Sequence, residues 1–191
     1  FYSLDFNVKK INLDKIFKSK KKILPVNEFN SLKKFNGNIN IRYKEKKFKN
    51  SFFNRILLKL NLENGEVLID KSDISFDGGS AKFAGRTSKI NSSNKFIFDF
   101  LININDQKKV KSWIRERKNK KNIPSSIQLK GSLNFFSNKI DIKEIVLNNE
   151  LAVPEDDLLY YKDSFNEIVL KKSYINFFNL ERIKIFLKEI Y

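Results

Sequence analysis

The chain has no cysteine, no histidine and no methionine, and it has only 6 glycines and 3 prolines among 191 residues. Without cysteine, neither a disulfide bond nor a thiolate metal site can form. Without histidine, the chain lacks the commonest general base and the commonest metal ligand. No serine or lysine has neighbours that indicate an activated nucleophile. We therefore predict a protein that is not an enzyme and has no catalytic residue, no metal site and no cofactor.

A long hydrophobic run and an initiating methionine are also missing. No stretch of 18 apolar residues occurs, so the sequence predicts no transmembrane helix. Because translation starts at methionine, we expect this sequence to be a fragment of a longer protein, with any signal peptide or membrane anchor outside it. The 191 residues, 41% of them hydrophobic, are enough for a domain with a hydrophobic core.

Acidic residues are few relative to basic ones, since 22 Asp and Glu stand against 38 Lys and Arg, a net charge of +16. Such a charge suits binding to nucleic acid or to an anionic membrane surface. Only six of the basic residues are arginines, although sites that read bases or grip phosphates favour arginine. Nucleic acid is therefore the less favoured partner. AT-rich codons, which encode the abundant Asn, Ile, Phe and Lys, are an alternative explanation of the charge.

What the chain does contain is a long series of alternating apolar and polar residues between Ile39 and Ile104. A period of two places alternate side chains on one face of a strand. Asn64-Gly65 suits a type I′ hairpin turn, Asp77-Gly78-Gly79 indicates a second turn, and Lys89–Asn94 reads as a polar loop. These patterns predict a mainly β, α+β fold: a curved antiparallel meander sheet of about eight or nine strands with a few short amphipathic helices.

Three segments carry helical signals. Asp106 fits the N-cap of a short helix near residues 106–118. Pro154 followed by three acids predicts a helix start, because acidic residues are favourable at the N-terminal end of a helix. Apolar residues at helical spacing predict an amphipathic helix from Leu180 to Ile190. The chain thus divides into an amphipathic sheet region, residues 1–150, and a helical tail, residues 151–191.

The stretch from Leu58 to Gly85 resembles the C-terminal β-rich region of the AsmA-like family. It has a strand, an Asn-Gly turn, a returning strand and a hairpin with the pattern Phe-x-Gly-Gly. Further segments that resemble strand motifs of the family are Ile11–Ile16, Lys34–Ile41 and Gln128–Phe136. The resemblance covers about residues 1–145 and concerns turn chemistry and periodicity rather than catalytic residues.

This resemblance implies a periplasmic segment of a Gram-negative envelope protein, anchored to the inner membrane through a segment outside this chain. AsmA-like proteins are related to bridge-like lipid-transfer proteins, whose curled sheet forms an apolar groove for phospholipids moving between the inner and outer membranes. It implies a role in outer-membrane biogenesis, with phospholipid acyl chains and flanking repeats of the same protein as partners. The candidate groove residues are Leu58, Leu60, Leu62, Val67, Ile69, Ile74, Phe76, Phe83, Phe98, Phe100 and Ile102.

Two other classes of function remain open. In an ordinary α+β domain the same apolar residues pack under the helices as a closed core, which gives a structural or assembly module without lipid. A basic surface module for anionic membrane or nucleic acid would show clustered lysines and salt-sensitive binding. Trp113, beside several basic residues, fits a packed helix residue, a membrane-interface anchor or a nucleic-acid stacking platform.

Overall fold

The structure, a computed structural model, describes residues 2–8, 36–44, 53–90, 93–114, 123–150, 152–171 and 180–190. Within them, eight strands form one sheet in chain order: β1 (Tyr2–Val8), β2 (Gly37–Lys44), β3 (Phe53–Glu63), β4 (Glu66–Phe76), β5 (Gly79–Ile90), β6 (Ser93–Ile104), β7 (Ser126–Asn134) and β8 (Lys139–Leu147). The described helices are α1 (Gln107–Ile114), α2 (Glu155–Ser164) with a π-helix directly after it (Phe165–Leu170), and α3 (Leu180–Ile190). The predicted β-rich fold, a curved meander sheet with a few short helices, is confirmed.

Strands β2 to β8 are each antiparallel to their neighbours. Strand β1 departs from this pattern, because it pairs parallel with β2 and places Leu4 opposite Ile39. A parallel pair needs a crossover connection of about a dozen residues or more, and residues 9–36 join these two strands. The family-like segment Ile11–Ile16 lies outside the described residues.

The predicted turns have the expected backbone conformations. Asn64 and Gly65 have φ values of 51° and 83°, as a type I′ turn requires. Gly78, with a φ of 93°, lies in the turn between β4 and β5. The loop predicted over Lys89–Asn94 is too long, because β5 and β6 continue into it and Lys89 pairs with Asn94. Residues 91 and 92 of the predicted loop lie outside the described residues.

The sheet bends at β-bulges. In β4, Asp70 and Lys71 lie between the pairs Ile69–Gly85 and Ser72–Phe83, where β5 has only Ala84, so β4 carries one extra residue. A bulge of this kind kinks the strand and increases its twist. Another irregularity interrupts the pairing of β7 with β8, between Lys130 and Gly131. The bulge in β4 explains why the sequence shows one alternating pattern up to Ile69 and a shifted one from Ser72.

Register places the alternating apolar residues on one side of the sheet, which we call the apolar face. One row across all eight strands shows this: Leu4, Ile39, Leu60, Ile69, Gly85, Phe98, Gly131 and Ile142 are successive partners. The other side, the polar face, carries mostly charged and amide side chains. There Gln128 donates to Asp99 at 3.1 Å, and Lys130 lies 2.6 Å from Glu144.

The helices pack on the apolar face of the last strands. The main core cluster joins sheet residues such as Phe98, Leu133 and Ile140 to residues of the π-helix and α3. Within it, the rings of Phe165 and Phe186 meet edge to face, with centroids 5.1 Å apart. A second cluster places Val110 and Ile114 of α1 against Ile104 and Ile123. Among the described residues, these two clusters therefore lie between the helices and one end of the sheet, and Tyr43, Leu62 and Ile69 are buried outside them.

Helix starts follow the sequence signals. The Asp106 carboxylate accepts a hydrogen bond from the Lys109 backbone N–H at 3.1 Å, which confirms the predicted N-cap. Helix α2 begins after Pro154 with three acids in its first turn, and α3 occupies Leu180–Ile190, both as predicted. Residues 115–118 of the predicted helix near 106–118 fall outside the described part of the chain. The π-helix was not predicted, and it ends at Lys171, which has a φ of 41°.

Candidate functional site

The eleven candidate groove residues all lie on the apolar face. Strand pairing places Leu60 opposite Ile69 and Leu62 opposite Val67 on that face. It also places Phe83 opposite Phe100. The bulge in β4 keeps Ile74 and Phe76 on the same side as Ile69, because its one extra residue shifts the alternation from odd to even positions. The residue set chosen from periodicity alone is therefore continuous across β3, β4, β5 and β6.

Part of this face is covered by the protein's own helices. Phe98 is only 3% exposed and belongs to the main core cluster, with Phe83 packed against it. Phe76 and Ile102 pack against the cluster of α1. We call the apolar-face residues that belong to these two clusters the covered part. Four candidate groove residues, Phe76, Phe83, Phe98 and Ile102, lie in it and contribute to the core.

The rest of the face has a different environment. Neither cluster formed by the described residues contains an apolar-face residue of β1, β2 or β3. We call the apolar-face residues of these strands, together with Val67, Ile69 and Ile74 of β4, the open part. Leu58 and Leu60 are half-buried there. Leu62 and Ile69 are buried, each with 9% exposure.

The apolar face reaches the outer edge of β1, which the groove prediction did not include. Tyr2, Leu4 and Phe6 are 66%, 46% and 49% exposed. Their register with Gly37, Ile39 and Ile41 puts them on the apolar face. Their alternation was visible in the sequence, but only the parallel pairing shows which face they extend.

Phenylalanine rings fill the covered part around two glycines. A Cβ atom on Gly85 would collide with the Phe96 ring, and one on Gly131 would lie 3.0 Å from the Phe98 ring. Each glycine therefore leaves the space that a neighbouring ring occupies. The Phe83 and Phe96 rings are 5.9 Å apart, a favourable distance for aromatic pairs. This packing closes the apolar face near β5, β6 and β7.

On the apolar face of β4, the Ser72 hydroxyl is buried and has no hydrogen-bond partner in the described part of the chain. It is 2% exposed, and it directly follows the bulge. A buried hydroxyl without a partner costs about 1–3 kcal/mol. Its position next to Ile74 makes it a polar point on an otherwise hydrocarbon surface.

A small pocket lies at the edge of the sheet between β1 and β2. It has a volume of about 20 Å³ and is lined by Tyr2, Leu4, Asn36, Gly37, Asn38, Ile39 and Leu62. That volume holds about one water molecule. This pocket is therefore too small for an acyl chain.

Two titratable groups among the described residues have shifted pKa values, and neither lies on the apolar face. The pKa of Lys130 is raised by its hydrogen bond to Glu144 and by the charge of that carboxylate. The pKa of Tyr161 is raised mainly by burial and further by the charge of Asp157. Both shifts favour the protonated form, so neither group gains the character of a base near neutral pH. In the part of the chain that the structure describes, no three acidic residues are placed to hold a metal ion.

Comparisons of the chain with protein-family models, with curated proteins and with solved structures gave no match. The AsmA-like assignment therefore stands on the strand and turn motifs and stays a proposal. None of the described helices is both long and apolar enough to cross a bilayer.

Proposed function

We propose that this chain is a non-enzymatic segment of an AsmA-like envelope protein and that the open part of its apolar face binds phospholipid acyl chains. The observation that carries the proposal is the extent of the apolar row, which runs from Leu4 to Ile142 through all eight strands. Among the described residues, the two clusters that include helices reach its β4–β8 end and contain no apolar-face residue of β1, β2 or β3. In this proposal an acyl chain packs against the open part of the face.

An acyl chain suits this face because it can pack along a row of apolar side chains and needs no specific hydrogen-bond partner. Each buried CH₂ contributes about 0.8 kcal/mol, so a chain lying over Ile39, Leu60 and Ile69 gains stability with every group that it covers. The polar face, with Asn40, Lys59 and Asp99, remains in water. In this proposal the segment works in the periplasm, moving lipid between the inner and outer membranes for outer-membrane biogenesis.

The two edges of the sheet differ in a way that fits flanking repeats. The edge of β8 is occupied by other residues of the same chain. The Val153 N–H donates to the Ile145 carbonyl at 2.8 Å, and the Asn166 side chain accepts a hydrogen bond from the Ile140 N–H. At the other edge, β1 pairs with β2 on one side and exposes Leu4 and Phe6. A strand of a flanking repeat added beside β1 would continue the apolar face, so we place the extension of the groove at β1.

Native mass spectrometry of the purified chain, followed by lipid extraction, tests this proposal. We expect phospholipid to copurify with the chain and to be lost in the double variant Leu58→Asp/Leu60→Asp. The matched control is Asn40→Asp/Ser75→Asp, which adds the same two negative charges on the polar face and should retain lipid. A stable, lipid-free wild-type chain, or equal lipid in both double variants, would contradict the proposal.

The covered part favours a second candidate, a structural module. Its cluster includes Val169 and Leu170, both 0% exposed, so this end of the protein has an ordinary dry core. If the wild-type chain is lipid-free and monodisperse in the same experiment, the whole chain is better explained as a scaffold domain.

A further inference from the structure

Helices α1 and α3 pack against each other, and both carry lysines. Lys184 of α3 places its Nζ atom 4.8 Å from the centre of the Trp113 ring of α1. Leu187 of α3 packs against the hydrophobic cluster of α1. The two helices are therefore in contact within the helical layer that packs on the sheet.

Charge is distributed unevenly over that layer. Helix α1 contains three lysines and no acid, whereas α2 contains four acids and one lysine. Lys108, Lys109 and Lys188 are exposed. None of these three forms an ion pair with a residue that the structure describes; the ion pairs found there involve Arg42, Lys130 and Lys162. We call Lys108, Lys109, Lys184 and Lys188 the lysine patch.

The surroundings of the patch favour a lipid surface over nucleic acid. Binding of single-stranded nucleic acid relies on aromatic rings with a free face on which bases stack. Trp113 is half-buried, and Lys184 lies over its ring. Ile185, between the patch lysines 184 and 188 in sequence, is 55% exposed. Basic residues combined with an exposed apolar residue are typical of helices that lie on anionic membranes.

We propose that the lysine patch binds the phosphate groups of an anionic phospholipid bilayer and holds the chain against it. The inference rests on the proposed function, because it assigns the membrane with which the apolar face exchanges lipid. The connection is structural: α1, which carries Lys108 and Lys109, also packs against Phe76 at the border of the apolar face. Lipid leaving an anionic leaflet at the patch would thus lie close to that border.

Vesicle flotation tests the proposal. The probes are phosphatidylcholine vesicles with and without about 30% phosphatidylglycerol, at about 50 and about 500 mM salt. The variant is Lys108→Gln/Lys109→Gln/Lys188→Gln. The control, Lys59→Gln/Lys82→Gln/Lys139→Gln, removes three exposed lysines from the strands. Each lysine at an anionic surface is worth roughly fivefold in affinity, so the patch variant should bind at least about tenfold more weakly, and the control variant within about twofold of wild type.

Three results would overturn the proposal. Equal weakening by both triple variants would assign binding to the overall charge of the chain. Equal binding to vesicles without phosphatidylglycerol would remove the role of the anionic headgroup. Tighter, patch-dependent binding to single-stranded RNA than to vesicles would make the patch a nucleic-acid surface.

The same variants separate this inference from the proposed function. The patch variant should retain copurified phospholipid, because its lysines do not line the apolar face. The Leu58→Asp/Leu60→Asp variant should lose that lipid and still float with anionic vesicles. If the wild-type chain floats with anionic vesicles but carries no phospholipid, the proposed function has failed. If it carries phospholipid but does not float, the proposal for the lysine patch has failed.

Discussion

Asn166 shows how one side chain can replace a neighbouring strand. Its Oδ1 atom accepts the Ile140 N–H at 2.9 Å, and its Nδ2 atom donates to the Ile140 carbonyl at 3.1 Å. Nδ2 also donates to the Lys162 carbonyl at 2.9 Å. An open edge strand promotes unwanted pairing between chains. Here the amide closes the β8 edge and joins it to the helical layer.

Replacing Asn166 with alanine should lower the free energy of unfolding by about 1–3 kcal/mol, because buried backbone groups of Ile140 lose their partners. Urea denaturation measures the loss, and hydrogen exchange at the Ile140 amide should speed up. Asn54→Ala, at an exposed position of β3, is the control. Equal stability of the two variants would show that the edge does not depend on the Asn166 amide.

Ser72→Ala should leave stability unchanged or raise it by up to about 1 kcal/mol, because it removes a buried hydroxyl without a partner in the described residues. Thermal unfolding of the lipid-free chain measures this. A loss of stability larger than about 1 kcal/mol would instead show that the hydroxyl makes a favourable interaction in solution.

At alkaline pH, Tyr161 should contribute to a loss of stability. Its pKa in the folded chain is raised above the ordinary value of 10.0, so above pH 10 the unfolded chain loses the proton first. The free energy of unfolding therefore falls as the pH rises from that value through the folded pKa. Tyr161→Phe should flatten this part of the pH profile in urea denaturation. An unchanged slope would assign the loss to other groups, such as Lys130, whose raised pKa acts in the same direction.

At the scale of elements, replacing a leucine of the apolar face with alanine should lower the unfolding free energy more in the covered part than in the open part. Leu133 is 6% exposed in the covered part, whereas Leu60 is half-buried in the open part. Leu133→Ala should cost about 2–5 kcal/mol of unfolding free energy, and Leu60→Ala less than about 2 kcal/mol in the lipid-free chain. Urea denaturation of both variants compares them. Equal costs would mean that the open part is as tightly packed as the core.

The sequence predicted those turns, caps and strands that local chemistry determines. The Asn64-Gly65 turn, the Asp106 cap and the strands around Leu60 follow from φ preferences, hydrogen-bond geometry and side-chain alternation. Alternation fixes which side chains share a face, but not what lies across from that face. Phe98 and Leu60 therefore looked equivalent in sequence, although the helical cluster of the described residues contains Phe98 and not Leu60.

Features set by distant contacts could not be predicted in the same way. The parallel pairing of β1 depends on where residues 9–36 return the chain, and no local residue encodes it. The π-helix depends on Val169 and Leu170 fitting the core and on Asn166 reaching β8. The pairing of Lys89 with Asn94 depends on the strong ladder beside it rather than on strand propensity.

At the scale of the whole molecule, three asymmetries occur together. Helices cover one end of the apolar face, one sheet edge is closed by Asn166 and Val153, and α1 is basic where α2 is acidic. The closed edge and the covered part both lie at the β8 end, while exposed Leu4 and Phe6 lie at the β1 end. This arrangement favours a groove that ends at β8 and continues beyond β1.

Photo-crosslinking tests the central claim most directly, because it reports what touches one position of the open part. A benzoylphenylalanine at position 60, in place of Leu60, should form an adduct with phospholipid in the purified chain. The same group in place of Lys59, the adjacent residue on the polar face, should form none. A lipid adduct at position 60 alone would support an acyl-chain surface. The absence of lipid adducts at position 60, or equal adducts at both positions, would contradict it.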